Sequence, residues 1–199
     1  TLEFEPNVDF GVDLGIVKPS YIELADMDGS GALDILVAGE DAITLLDNNG
    51  MGTNDKLSVI SQNIGQFDGD GIEVKAYDLT ADGLLDIVYT TNDLTDPNDV
   101  NSRVKLLIQN ESGSFDEQTS PFSPSTDDKE KLNRPQNIQI LPAEGDVGVC
   151  IIFNDSTNGY LTLYETRPSN DGTFEDPLVL TGSSTPDDAT TINSILLVD

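Results

Sequence analysis

Two short stretches of the chain carry oxygen-bearing side chains at alternate positions. Asp26, Asp28, Ser30 and Asp34 form one series, and Asp78, Thr80, Asp82 and Asp86 form the other. A hard divalent cation needs about six to eight oxygen ligands converging within a short reach. Side chains at the first, third, fifth and ninth places of a tight loop supply most of them, and a backbone carbonyl at the seventh place adds another. Those carbonyls fall at Ala32 and Leu84, and water completes the shell. Gly31 and Gly83 hold the sixth place, where the chain must turn sharply and a side chain would obstruct. The expected chemistry is therefore ligation of two calcium ions. One site comprises Asp26, Asp28, Ser30, Ala32 and Asp34, the other Asp78, Thr80, Asp82, Leu84 and Asp86. Magnesium fits less well, because it takes fewer protein ligands and keeps more of its water. A helix–loop–helix calcium hand needs Glu at the twelfth place, which here holds Val37 and Tyr89. Asp and Gly also populate ordinary β-turns. Two loops in register, matching at four side-chain positions and a glycine, argue against that plainer reading.

The flanks of both loops read as strands. Apolar stretches are short, rich in Val, Ile and Leu, and bounded by turn residues every ten or so positions, as at Tyr21–Ala25, Asp34–Ala38, Ala42–Leu46, Asp86–Thr90 and Arg103–Ile108. No window sustains a helical apolar period, so the expected fold is all-β. The segments repeat with an offset of 52 positions, from Asp26 to Asp78. Each copy has four strands; the fourth is expected at Leu57–Ser61 in the first copy and Phe115–Gln118 in the second. A worn third copy runs through Asn137–Leu141, Val147–Phe153, Tyr160–Glu165 and Phe174–Leu180. Its loop, Pro142 to Asp146, has lost most ligands.

Four strands per unit and a period of about 50 residues mark propeller blades. The expected organisation is one β-propeller-like region over 1–199 with repeats near 20–67, 72–120 and 136–181. Partial blades are expected at 1–10 and 190–199, and a long polar loop at 119–135. Three blades fall short of a closed ring of about four to eight. The favoured expectation is a piece of a longer ring; closure with another subunit, or a different stacking, are the alternatives. The cluster Asp68-Gly69-Asp70-Gly71 with Glu73 resembles half a calcium loop but falls in a connection, where an exposed turn is expected.

Composition narrows the partners. The chain has 37 acidic residues against 9 basic ones, a formal charge of −28. Nucleic acid and anionic membranes need a cationic face, so both are poor partners. No apolar run approaches the roughly 20 residues that span a bilayer. The two loops use only six of the 37 acids, so a generally acidic solvated surface accompanies the metal sites. There is no His, which removes imidazole catalysis and makes a zinc site improbable beside the lone Cys150. Cys150 lies in an apolar run and reads as a small buried hydrophobe. Asn110-Glu111-Ser112 and Asn154-Asp155-Ser156 match the glycosylation acceptor pattern, in or near expected turns.

The pattern Asp26-Met27-Asp28-Gly29-Ser30-Gly31-Ala32-Leu33-Asp34, followed by Ile35-Leu36-Val37, resembles the FG-GAP/VCBS-type repeat. The likeness is strong in the first two copies, weak in the third, and departs from the pattern at Thr80. It implies calcium-loaded blades like those of integrin alpha-subunit heads and of many secreted proteins. The functional expectation is a non-enzymatic extracellular module for adhesion, ligand binding or surface assembly, with structural calcium and a protein or glycan ligand. One alternative is a carbohydrate-active enzyme or lectin on a calcium-stabilised propeller. The other is a filament subunit that self-associates through unfinished β edges by strand exchange.

Overall fold

In the first copy, β1 (Tyr21–Ala25), β2 (Asp34–Ala38) and β3 (Glu40–Asp47) form an antiparallel meander. The computed structural model describes residues 16–48, 58–92, 103–118, 135–142, 149–155, 161–165 and 178–181. The long β4 (Ser58–Tyr77) follows, then β5 (Asp86–Thr91), β6 (Val104–Gln109) and β7 (Phe115–Glu117). The third unit consists of β8 (Pro135–Pro142), β9 (Val149–Asp155), β10 (Leu161–Glu165) and β11 (Leu178–Thr181). Strand order follows chain order throughout, and every pairing is antiparallel. The fold is all-β and of propeller type, built from four-stranded blades. The expected partial blades at 1–10 and 190–199, the loop at 119–135 (but for Pro135, which opens β8) and the worn loop near Glu144 lie outside the described residues.

β4 serves two blades. Its first part pairs with β3, irregularly, from Asp47 opposite Ser58 to Glu40 opposite Asp70, and its last part pairs with β5, from Gly71 opposite Thr91 to Tyr77 opposite Asp86. The handover falls on Asp68–Gly71, which is thus part of a strand and not the exposed turn expected from its composition. The physical reason is that the backbone finds partners there. Gly69 N–H donates to Asp41 Oδ1 at 3.1 Å, Asp70 N–H to Asn92 Oδ1 at 2.6 Å, and Gly71 N–H to the Gly39 carbonyl at 2.9 Å. Gly69 has φ of 125°, and a Cβ there would lie 2.6 Å from Asn92 Oδ1, so the switch requires glycine.

Blades pack face to face through alternating strand residues. Leu36, Ile43 and Leu45 of the first blade meet Val74, Ile87 and Tyr89 of the second. On the opposite face of the second blade, Val88, Val104 and Leu106 meet Ile138 and Ile151 of the third. β5 is consequently buried at all six positions and shows no polar alternation, as a strand covered on both faces should. β1 behaves differently: Ile22 and Leu24 are 60% and 56% exposed, whereas Val74, the repeat equivalent of Ile22, is 0% exposed. Polar ties reinforce the stack between the first strands of successive blades. Lys75 donates to Tyr21 Oη at 2.7 Å and to Glu23 at 2.9 Å, and Glu73 accepts backbone hydrogen bonds from Asn137 and Ile138. Asn154 is the next-to-last residue of β9, paired with Gln136 on one side and Leu161 on the other, beside a β9–β10 connection that lies outside the described residues. Asn110 sits in the β6–β7 turn.

Candidate metal centre

Each acidic loop joins the first and second strands of its blade, β1 to β2 and β4 to β5. Both loops adopt the same backbone. The fourth place has φ of 72° at Gly29 and 59° at Ala81, and the sixth has 86° at Gly31 and 89° at Gly83. Two left-handed residues in each loop curl the chain so that N–H groups and side-chain oxygens turn inward. Gly31 N–H donates to Asp26 Oδ2 at 2.8 Å, and Gly83 N–H to Asp78 Oδ2 at 2.9 Å. Ser30 N–H donates to Asp28 Oδ1 at 2.9 Å, and Leu84 N–H to Asp82 Oδ1 at the same distance. Ala32 N–H closes on Ser30 Oγ at 3.3 Å.

The ninth-place aspartates anchor the loops to the sheet. Asp34 and Asp86 are both 0% exposed. Asp34 accepts from Met27 N–H at 2.8 Å and Asn48 N–H at 2.7 Å; Asp86 accepts from Leu79 N–H and Gln109 N–H, each at 2.9 Å. Each carboxylate therefore ties its hairpin loop to the end of the third strand of the same blade, at Asn48 just past β3 and at Gln109, the last residue of β6. Asn48 and Gln109 did not emerge as site residues from the sequence. Their common position at the end of the third strand is the signal that could have singled them out.

In the first loop Asp26, Asp28 and Asp34 each offer an oxygen, and the three oxygens lie within 4.8 Å of one another. Among the described residues, the second loop gathers no such trio of acids, and Thr80 stands there in the third place. Two loop oxygens are buried without a hydrogen-bond partner: Asp26 Oδ1 in the first loop and Thr80 Oγ1 in the second. Both belong to residues singled out as ligands by spacing alone. A buried acceptor without a donor costs about 1–3 kcal/mol, and a hard cation removes that cost. An all-oxygen donor set with a free carboxylate oxygen suits calcium.

The electrostatics point the same way. Backbone and side-chain hydrogen bonds from Ser30 hold the Asp28 carboxyl below its usual range. Asp86 is pushed up to about 6, chiefly by burial; hydrogen bonds from Gln109 and Leu79 counter the rise and the Asp82 and Asp78 charges add to it. A buried carboxylate that resists ionisation beside two more acids is a group that a dication would relieve.

Residues 26–89 match the family model of the FG-GAP-like repeat. The match opens on the first residue of the first loop and closes beyond the second, so it spans both. No curated protein matches the chain. Among solved structures, the catalytic domain of a GH62 alpha-L-arabinofuranosidase from Coprinopsis cinerea is similar, with a TM-score of 0.52 at 12% identity. The likeness covers 86% of this chain and 53% of that one, so the chain spans about half the length of the structure it resembles. At that identity the likeness speaks for the fold alone.

Proposed function

We propose that this chain is a calcium-binding propeller module that acts outside the cell in adhesion, ligand binding or surface assembly, and that it catalyses no reaction. Calcium is structural in this reading. Asp26, Asp28, Ser30, the Ala32 carbonyl and Asp34 hold one ion, and Asp78, Thr80, Asp82, the Leu84 carbonyl and Asp86 hold the other. The observation that carries the proposal is the trio of Asp26, Asp28 and Asp34, whose oxygens converge within 4.8 Å while Asp26 Oδ1 lacks a partner. Without a cation these carboxylates repel one another at the end of a hairpin. With one, ligation closes the hairpin, and binding free energy becomes folding free energy. Calcium is abundant outside cells, which favours an extracellular setting, and the partner in this reading is a protein or a glycan. The lack of any His in the sequence and the structural partners of every loop acid support a non-catalytic role.

Calorimetric titration with calcium, paired with thermal melting, tests the reading. Two equivalents are expected to bind, and calcium at a hundredfold its Kd should add about 2.7 kcal/mol per site. Asp28→Asn should remove one equivalent and Asp82→Asn the other. Identical melting in calcium and in excess chelator would refute the proposal.

A further inference from the structure

Both acidic loops line one cleft of about 370 Å³ between the first two blades, and Gln109 at the end of β6 lines it with them. Gln109 is only 6% exposed. It belongs to the second blade, yet it holds both loops. Its backbone N–H donates to Asp86 Oδ1 at 2.9 Å, on the ninth-place residue of the second loop. Its side-chain Nε2 donates across the blade boundary to the Met27 carbonyl at 3.1 Å, inside the first loop. That carbonyl is part of the peptide unit that joins Met27 to Asp28, the third-place residue. Met27 also donates its own N–H to Asp34 Oδ2 at 2.8 Å, on the ninth-place residue of the first loop. Three hydrogen bonds thus run without a break from Asp34 through Met27 and Gln109 to Asp86.

The repeat itself does not demand this link. By strand register the equivalent of Gln109 in the first blade is Asn48, whose side chain is one methylene shorter. Its backbone N–H holds Asp34 in the same way, but its Nδ2 turns back to the Leu33 carbonyl of its own loop at 3.1 Å. The longer side chain of Gln109 reaches the neighbouring blade instead. We propose that the two calcium sites are coupled through Gln109, so that filling either one raises the affinity of the other. The proposal rests on the calcium reading and adds how its two sites act on each other. In an empty first loop the carboxylates repel one another, and the peptide between Met27 and Asp28 is loosely held. Closure of the loop fixes that peptide, and with it the carbonyl that receives Gln109. An ordered Gln109 in turn keeps Asp86 in place, so less freedom is lost when the second loop closes. Linkage requires the reverse effect to be of equal size. The acidic field works the other way, since each bound dication weakens the negative potential that attracts the next. That effect does not pass through Gln109, which allows the two to be separated.

The test is calorimetric titration with calcium of the whole chain and of proteins in which one site is disabled. Asp82→Asn disables the second site and Asp28→Asn the first. The coupling factor is the affinity of one site with the other filled, divided by its affinity with the other disabled. It should be the same whichever site is read, and about two- to tenfold larger with Gln109 present than in the Gln109→Asn background, the range expected for one buried hydrogen bond. Gln109→Asn keeps the backbone N–H on Asp86 and copies Asn48, so both sites survive while the bridge is lost. Gln109→Met, of similar length and without a donor, should lower the factor equally. Two ions bound with the same factor in the wild type and in both Gln109 variants would overturn the proposal and leave the calcium reading standing. No calcium bound by the wild type would overturn both.

Discussion

The ninth aspartate of each loop joins a ligand's role to a structural one. Asp86 is wholly buried, yet both of its oxygens are engaged by backbone donors, and burial lifts its carboxyl to about 6. An acid whose folded value lies above its unfolded value of about 3.9 is protonated more readily in the fold. Its contribution to stability is full below about pH 4 and is lost as pH rises through about 6. The metal-free protein should therefore lose on the order of 2–3 kcal/mol from this group between pH 4 and 7. Calcium should reverse the slope, because it favours the ionised form. Denaturant melts across that range, with and without chelator and with Asp86→Asn for comparison, check this. A slope unaffected by the substitution would show that another group sets it. Gly83 offers a second residue-level prediction. Its φ is 89° and a Cβ there would meet nothing within 4 Å, so Gly83→Ala tests backbone strain without a clash. It should destabilise by about 1–2 kcal/mol. Ala81 already bears a φ of 59°, and Ala81→Gly should leave stability unchanged or slightly raised. Chemical denaturation of both variants reads the two signs.

At the level of elements, the strands are defined as much by what covers them as by their own residues. Val74 and Ile22 hold equivalent places in the repeat, yet Val74 is 0% exposed and Ile22 is 60% exposed. Val74→Thr should cost about 1–3 kcal/mol by burying a hydroxyl. Ile22→Thr should stay within about 0.5 kcal/mol. Comparable losses from both would mean that the face of β1 is covered in solution. β4 makes a related point. The expected fourth strand of one blade and first strand of the next are continuous, joined across Gly69. Local composition there, two Asp and two Gly in four residues, is that of a turn. Partners distant in sequence, at Gly39, Asp41 and Asn92, hold it extended instead.

For the molecule as a whole, a charge of −28 opposes compaction. Added sodium chloride should raise the melting temperature by screening, with a Debye length near 10 Å at 0.1 M. Calcium chloride at matched ionic strength should raise it further, by site binding. Coincident curves for the two salts would reduce calcium to a counterion.

Much of this protein is legible in the order of its residues. Local spacing alone identifies the two acidic loops, their left-handed glycines and the strands beside them, because ligand places and turn places are set within nine consecutive positions. The 52-residue offset likewise announces the repeated blade. Other features depend on residues far apart in the chain. The clamp of Asp86 on Gln109 spans 23 positions, and the bridge from Gln109 to Met27 spans 82. Packing of one sheet upon another decides which apolar faces are covered, which oxygens are left buried without a donor, and where a cleft remains. Those outcomes belong to the stacked blades, since burial and desolvation arise only when distant surfaces meet.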